Sequence, residues 1–343
     1  MYDQLPLEGM PRRLYSCTPS RLNAWLDCRR RYRFAYLDRP QPSKGPAWAH
    51  NSVGASVHNA LAGWWREPYE RRTPLTAAVL LTNGWITEGF RDSEQSGRWL
   101  GRARDLVSGY VATLDPSDDP VGVERTVATR TKVIAVSGRI DRLDRRGDEL
   151  VVVDYKTGRR PLTQDDARGS LALAVYAVAA SAMMRTPCRS VELHHLPTGE
   201  IVEWRHTEES LGRHLRRAEE VAVEAAAADE RYRELMSGGR ATPGRRAPAR
   251  RPPSGPSAPA SGAAASGVSS SQGWPSAADV RRARDTQAGT DRPHVAPAEV
   301  PPELDELFPP NPGPLCSWCD FRRHCSEGRT AAPERQPWDG LAE

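Results

Sequence analysis

Hydrophobic positions near the start of the chain recur every three to four residues, which is the period of an amphipathic helix. Thr18 and Pro19 have the residue types of a helix N-cap and first turn, and Leu22 and Trp25 begin an apolar face. The pattern therefore predicts a first helix over residues 20–36. Three further helical segments follow, at 54–65, 74–90 and 98–114.

Shorter β-type runs begin near Val121 and continue through residues 133–136. A strongly apolar helix is then predicted, followed by two strands around a turn at residues 197–199 and by a long helix of mixed charge. These later segments span 165–184, 188–205 and 208–235. Strands enclosed by helical segments predict an α/β protein with a mixed central β-sheet flanked by helices.

A hairpin turn is predicted at residues 147–148, because Gly-Asp between two β-type runs is a two-residue hairpin signal. Antiparallel register from this turn places Asp141 opposite Asp154, with their Cβ atoms roughly 4.5–5.5 Å apart. Two facing carboxylates repel each other, and a divalent metal is the obvious compensating charge. Lys156 points to the same face as Asp154, which favours metal-assisted phosphodiester chemistry. The alternative is a surface hairpin of mixed charge, but the three valines at 151–153 favour a buried strand.

The composition fits a globular protein with one unusual segment. Of 343 residues, 38% are hydrophobic, which is enough apolar side chain for a core. The net charge of +4 is compatible with nucleic acid but is not evidence for it alone. Because we find no apolar run of about 18 residues and no signal peptide, we expect a cytoplasmic protein without membrane association. Residues 237–300 are rich in Pro, Ala, Ser, Gly and Arg and are predicted as a disordered insert.

The two halves of the predicted hairpin also carry a family resemblance. The sequence GRIDRLD at 138–144, followed by VVVDYKTG at 151–158, resembles the PD-(D/E)XK nuclease superfamily, in its RecB-like exonuclease branch. The resemblance implies a nuclease dependent on Mg²⁺ or Mn²⁺. In it, Asp141 and Asp154 bind the metal, and Lys156 orients the attacking water and stabilises negative charge.

The same resemblance implies roles for residues outside the hairpin. A histidine four residues after a glycine is a metal ligand in this family, and His58 fits that position. The backbone carbonyl of Tyr155 is implied as a further ligand, with Glu124 and Tyr176 as accessory residues. The family's glutamine, four residues before that tyrosine, is Ala172 here, so its substrate-positioning role does not transfer.

Six cysteines in an intracellular chain favour metal ligation over disulfides. Cys316, Cys319 and Cys325 have the spacing C-x2-C-x5-C and need a fourth ligand. Zinc and an iron–sulfur cluster both accept thiolate ligands. RecB-like nucleases of the AddB type place one cysteine before the nuclease motifs and three after them. The resemblance therefore implies that Cys28 completes a [4Fe–4S] cluster, with structural zinc as the alternative.

Basic and aromatic residues alternate after Cys28, at the end of the first predicted helix. Interleaved arginines and aromatic rings suit a nucleic-acid backbone, although a solvated basic face has the same composition. The predicted DNA-binding residues are Arg29, Arg30, Arg31 and Arg33. The adjacent His194 and His195 point to opposite sides of a strand, so we interpret both as structural.

Four segments are predicted in all, after a loose arm at residues 1–17. They are a nuclease core at 15–236, the insert at 237–300, a cysteine segment at 301–328 that closes on the first helix, and a flexible tail at 329–343. The expected function is cleavage of DNA, single-stranded or at ends, in repair or recombination. No G-x-x-x-x-G-K-[ST] motif occurs, so any helicase would be a separate partner. The alternatives are a non-catalytic DNA-binding iron–sulfur module and an enzyme that acts on RNA.

Overall fold

The computed structural model describes residues 14–238 and 302–341. Its strands are β1 (Tyr15–Cys17), β2 (Gly122–Arg130), β3 (Ile134–Arg146), β4 (Glu149–Lys156), β5 (Cys188–His195) and β6 (Glu200–Arg205). Its α-helices are α1 (Pro19–Asp27), α2 (Arg29–Tyr36), α3 (Ala49–Arg66), α4 (Pro74–Asn83), α5 (Ser93–Val111), α6 (Gln164–Gly169), α7 (Leu171–Met184), α8 (Glu208–Gly238), α9 (Glu303–Leu307) and α10 (Ser326–Ala331). Short 3₁₀ turns occur at Tyr69–Arg71, Pro314–Trp318 and Arg322–His324. The predicted insert lies outside the described residues, apart from its first two positions.

One mixed sheet of six strands runs through the molecule in the order β1-β3-β4-β5-β6, and β2 pairs with the other edge of β3. The β1–β3 and β4–β5 pairs are parallel, and the remaining pairs are antiparallel. Helices cover this sheet, which confirms the predicted α/β architecture. None of the helices in the described ranges is long and apolar enough to cross a membrane.

Strands β1 and β4 share one edge of β3. β1 pairs with residues 134–136 and β4 with residues 142–146, while β2 runs along the opposite edge. Within the described residues, the intervening positions 137–141 therefore have no strand partner on the shared edge. Where the edge of a strand has no pairing strand, side chains can take the place of backbone hydrogen bonds. Asp141 is the last residue of this unpaired stretch.

The β3–β4 hairpin has the predicted register. Arg146 pairs with Glu149, and the pairing continues to Arg142 with Val153. Gly147 takes a φ of +59°, which glycine adopts without steric cost in the first central position of a hairpin turn. The next step of this register sets Asp141 opposite Asp154.

Alternation along β4 decides which helices cover its two faces. Val151, Val153 and Tyr155 pack in the core formed with α3, α4 and α5. Leu150 and Val152 pack with α7 and β5 on the other face. Since successive side chains point to opposite sides, Asp154 and Lys156 belong to the α7 face.

Several predicted boundaries differ from the structure. The first helix is broken at Cys28, which has extended backbone and caps both α1 and α2. The helix predicted to reach residue 90 ends at Asn83, before Gly84. The one predicted over 98–114 begins earlier, because Asp92 accepts a hydrogen bond from the N–H of Gln95 as its N-cap.

Both predicted loose ends are structured where the model describes them. Residues 15–17 form β1, so the expected arm is wrong at that point. Residues 329–341, expected as a flexible tail, instead lie against α3: Pro337 accepts a backbone hydrogen bond from Ala49, and Leu341 is buried in the α3–α5 core. Backbone pairing and apolar burial are the reasons, and neither was evident from the polar composition of the tail.

Candidate metal and phosphodiester site

Three carboxylates are aligned across three neighbouring strands. The β2–β3 register pairs Val123 with Arg142 and Arg125 with Ile140, so Glu124 stands opposite Asp141. The β3–β4 register sets Asp154 opposite Asp141 on its other side. Directly opposed residues on a sheet have neighbouring side chains. The register of two hairpins thus gathers three acidic groups at one place.

Helix α3 brings the fourth group to this row. Its Gly54 approaches the end of β4 so closely that a Cβ there would lie 3.4 Å from Thr157 Oγ1. One turn later, His58 Nδ1 lies 3.3 Å from Asp141 Oδ1. One ligand atom each of His58, Glu124 and Asp141 lies within 4.8 Å of the others, which makes this a candidate metal group.

Glu124 is held in a strained conformation. Its φ of +49° lies in the left-handed region, which costs a non-glycine residue about 1–3 kcal/mol and is concentrated at functional sites. Its carboxylate is bound by Arg139 Nε at 2.7 Å. Glu124, predicted as an accessory residue, lies in the candidate metal group with Asp141 and His58.

Asp154 stands apart from that group in this structure. Its Oδ2 forms an ion pair of 2.5 Å with Lys156 Nζ, two residues along the same strand face. The candidate triad is therefore His58, Glu124 and Asp141, where the sequence predicted His58, Asp141 and Asp154. The predicted ligand role of the Tyr155 carbonyl remains a prediction.

Burial and neighbouring charge oppose each other at these groups. Burial raises the pKa of both Glu124 and Asp154, with the Asp141 carboxylate adding to each effect. Burial is the largest influence on Asp141 and disfavours its ionised form, but His58, the N–H of Tyr155 and Lys156 together outweigh it and lower the pKa of Asp141. The pKa of His58 is raised despite burial, because Asp141 and the two other carboxylates favour its charged form. A cation bound among these carboxylates would favour their ionised forms in the same way that His58 and Lys156 do here.

A buried polar network, which the sequence analysis missed, supports the site from behind. The N–H of Tyr155 donates to Asp141 Oδ2 at 2.9 Å. Its hydroxyl accepts from Arg142 Nη1 at 3.3 Å and from Trp65 Nε1 at 3.2 Å. Arg142 also binds Asp144 at 2.9 Å. These contacts fix the residue between Asp154 and Lys156. The sequence gives little signal of this network, because Arg142 is one of several charged residues along β3.

Helix α7 places Tyr176 near Asp141 and Asp154, and its accessory role stays a prediction. Its ring lies against β3, where a Cβ on Gly138 would be 2.4 Å from Tyr176 Cε1, so only glycine fits. Burial, followed by the charges of Asp154 and Asp141, raises the pKa of this hydroxyl to about 12. Tyr176 is therefore a neutral neighbour of the carboxylates.

The paired histidines of β5 are structural, as interpreted. His194 bonds Tyr110 at 2.7 Å and Glu192 at 2.8 Å. His195 bonds Thr198 and the carbonyl of Gly158, both at 2.7 Å. Both rings are buried, and both of their nitrogens are occupied within the protein.

The four predicted cysteine ligands line one cavity of about 210 Å³ between the α1–α2 junction and the C-terminal segment. Backbone N–H groups of Arg31 and Asn311 point at Cys28 Sγ, at 3.5 and 3.4 Å, and that of Gly328 points at Cys325 Sγ, at 3.3 Å. Such donors stabilise thiolates. Gly328 also borders the cavity, and a Cβ there would be in van der Waals contact with the sulfur atoms of Cys325 and Cys316. Cys316 and Cys319, the other two predicted ligands, line the same cavity.

The basic run of α2 divides into two inward and two outward residues. Arg30 and Arg33 are buried, and they bind Asp305 and, for Arg30, Glu327. Their guanidinium groups join α2 to the C-terminal segment, which does not fit the predicted DNA contact. Arg29 and Arg31 have about half-exposed side chains, and DNA contact stays a prediction for them.

A sheet-end cluster of carboxylates, histidine and lysine defines the class of site found in metal-dependent hydrolases of phosphodiesters. The family model of the PD-(D/E)XK nuclease superfamily matches residues 16–326, and the chain belongs to this superfamily. The fold is the restriction-endonuclease-like fold of that superfamily. The match supports a nuclease activity.

Solved structures give weaker likenesses. A proposed exonuclease from Eubacterium rectale is 11% identical, with a TM-score of 0.40 over 65% of this chain and 82% of that one. The protein SSO0001 is 14% identical, with a TM-score of 0.29 over 61% of this chain and 77% of that one. At such scores, neither adds to the family match. No curated protein matches the chain.

Proposed function

We propose that this protein is a metal-dependent deoxyribonuclease of the RecB-like exonuclease type. The observation that carries the proposal is the meeting of His58, Glu124 and Asp141 beside the Asp154–Lys156 ion pair. Oxygen and imidazole ligands in this number suit Mg²⁺ or Mn²⁺. The lysine adds the positive charge that a phosphodiester transition state requires.

Each residue has a distinct task in the proposed reaction. His58, Glu124 and Asp141 would hold the divalent metal, with Asp154 and the Tyr155 carbonyl as further ligands. The bound metal would polarise the scissile phosphate and lower the pKa of an attacking water. Lys156 is held by Asp154, so its ammonium is oriented before the substrate arrives. It would place the water and stabilise the charge on the phosphate oxygens.

The cysteine cavity supports a [4Fe–4S] cluster held by Cys28, Cys316, Cys319 and Cys325. Zinc binds thiolates at about 2.3 Å, which sets four sulfurs about 3.8 Å apart. Among the described residues, no three of these sulfur atoms come within 4.8 Å of one another. The wider spacing favours a cluster, in which each thiolate binds a different iron. When bound, it would link the α1–α2 junction to the C-terminal segment.

The substrate we propose is DNA, single-stranded or at an end, in a repair or recombination process. A helicase, if one takes part, is supplied by a separate chain, since this sequence has no P-loop motif. The location we propose is the cytoplasm.

The decisive experiment is an assay of the purified protein on end-labelled single-stranded DNA, duplex DNA and RNA of one sequence. Each is incubated with Mg²⁺, Mn²⁺ or EDTA. We expect cleavage of single-stranded DNA with either metal and none with EDTA. Products that shorten from one end would indicate an exonuclease, and internal cuts an endonuclease.

The second candidate is a non-catalytic DNA-binding iron–sulfur module. Ala172, where the family has glutamine, is the feature that favours it. DNA binding without cleavage under every metal condition would support this module and exclude the enzyme. Cleavage of RNA alone would reassign the substrate.

A further inference from the structure

A second cavity, of about 570 Å³, lies outside the carboxylate site. It is formed by the end of α6, strand β6 and the first turns of α8. Its lining has no acidic side chain, and the basic ones are Arg168, Arg205, Arg213, His214 and Arg217. A concave surface with several positive side chains concentrates anions.

Trp204 supplies an independent sign of a ligand at this cavity, whose wall it forms. Its indole Nε1 is buried and has no hydrogen-bond partner in the described structure. A buried donor without a partner costs about 1–3 kcal/mol, so it calls for an acceptor. The guanidinium of Arg168 lies 5.6 Å from the ring centroid, on the same wall. Trp204 and Arg168 thus bring an unpartnered donor and a cation to the same wall of the cavity.

Every arginine of the lining is paired with a carboxylate that lies outside it. Arg205 binds the partly buried Glu149, and Arg168 binds Asp165 at 2.8 Å on exposed side chains. Arg213 is paired with Glu209 and Arg217 with Glu220, each within one turn of the helix and on exposed side chains. Exposed pairs of this kind contribute about 0–1 kcal/mol. A phosphate oxygen can therefore replace either carboxylate at little cost.

The cavity lies on the same side of the sheet as the catalytic lysine. Trp204 packs in the α7 core together with Val152, and Lys156 follows Val152 by an even number of residues. Helix α6 packs against β6 and joins the two places, since the chain runs from Lys156 through Arg159 and Arg160 into α6. A strand bound at Lys156 that follows this face encounters basic residues up to the cavity.

We propose that this cavity is a second binding site for the substrate, which holds phosphates of single-stranded DNA away from the cleaved bond. Arg168, Arg213 and Arg217 bind the phosphate oxygens, and the indole N–H of Trp204 donates to one of them. The inference rests on the proposed nuclease function and names the path of its substrate.

The chain offers a matched control for the test. Arg217 pairs with Glu220, and Arg231 pairs with Glu234 by the same i,i+3 spacing on the same helix, with similar exposure. Arg217→Ala and Arg231→Ala thus remove the same charge and the same type of pair. Arg217→Lys restores the charge, and Trp204→Phe removes the indole N–H donor while it keeps an aromatic ring.

We would measure binding of a fluorescein-labelled 20-nucleotide oligo(dT) by anisotropy over a range of salt, in a Lys156→Ala background that does not cut. Arg217→Ala should raise Kd at least 5-fold and reduce the slope of log K against log salt by about 0.7, the value for one single-strand phosphate contact. Trp204→Phe should raise Kd without changing that slope. Arg217→Lys should bind within 2-fold of the parent, as should Arg231→Ala. With Lys156 intact, Arg217→Ala should raise KM for cleavage and leave kcat unchanged.

Equal effects of Arg217→Ala and Arg231→Ala would overturn the inference, because only net charge would then matter. Unchanged binding in both Arg217→Ala and Trp204→Phe would overturn it as well. If the unmodified protein cuts DNA while these variants bind normally, the nuclease function is supported and the second binding site is rejected. If the unmodified protein neither binds nor cuts DNA, the proposed function itself fails.

Discussion

The backbone N–H of Tyr155 donates a hydrogen bond to Asp141 Oδ2 over 2.9 Å, from one strand of the β3–β4 hairpin to the other. The ladder of backbone pairs ends one step earlier, at Arg142 and Val153. The carboxylate thus takes the place of a backbone acceptor. This fixes one oxygen of Asp141 and leaves the other for His58, at 3.3 Å.

Replacement of Lys156 should remove most of the DNA cleavage activity. Lys156→Ala removes a positioned charge from the phosphate site, and cleavage should fall at least ~10²-fold while DNA affinity changes little. Asp154→Ala should do the same, because Asp154 holds the lysine. Asp148→Ala, in the exposed hairpin turn, is the control and should cut normally. Normal cutting by both site variants would show that the assignment is wrong.

Loss of the buried arginine should weaken both fold and activity. Arg142→Met leaves Asp144 and the hydroxyl of Tyr155 without their main partner. Removal of one member of a buried ion pair usually lowers the free energy of unfolding by about 3–5 kcal/mol. We expect about 3 kcal/mol here, because Asp144 is partly exposed. Denaturant unfolding should show this loss, and cleavage should slow. The exposed neighbour is the control, and Arg145→Met should unfold like the wild type.

The arginines of α2 should separate by function. Arg30→Ala removes a charged hydrogen bond to Glu327 and an ion pair with Asp305, and it should cost about 1.5–3 kcal/mol of stability. Arg31→Ala, on the outside of the same helix, should cost less than about 1 kcal/mol, because its pair with Asp27 is exposed. Its expected effect is weaker DNA binding. Thermal unfolding and DNA titration of both variants test this, and similar values of Tm would contradict it.

If the four cysteines hold an iron–sulfur cluster, the purified protein should be coloured and should contain iron. Anaerobically purified protein should absorb broadly near ~400 nm, as thiolate-bound iron–sulfur centres do. Cys28→Ala should lose iron, stability and DNA affinity, because metal binding and folding are coupled. Cys17→Ala, which removes a buried cysteine outside the cavity, should keep its iron. Zinc without iron in elemental analysis would replace the cluster by a structural zinc site.

Local signals were enough to predict the hairpin and its register. The turn at Gly147 fixes the register, and the register alone opposes Asp141 and Asp154. The position of Glu124 could not be derived this way, because it depends on the β2–β3 pairing and on a positive φ. A four-residue turn that joins Arg130 to Ala135 would have set Glu124 opposite Asp141, but no such turn was predicted from the sequence.

Long-range contacts account for the predictions that differed. Arg30 and Arg33 were predicted to lie on a basic surface, because their acidic partners Asp305 and Glu327 are distant in sequence. The break at Cys28 was equally hidden, since the residues on both sides favour helix. Only the backbone donors from Arg31 and Asn311 explain why this residue is extended.

The ion pair between Arg30 and Glu327 spans 297 positions of sequence, and it has a consequence for synthesis on the ribosome. Chains are made at about 5–20 residues per second, and N-terminal parts emerge first. Many seconds therefore pass between the synthesis of helix α2 and that of helix α10. During this time Arg30, Arg33 and Cys28 are still exposed, because the residues that cover them have not been made. The candidate catalytic residues all emerge during that wait. Completion of the fold, and with it any nuclease activity, is thus timed by translation of the C-terminal segment.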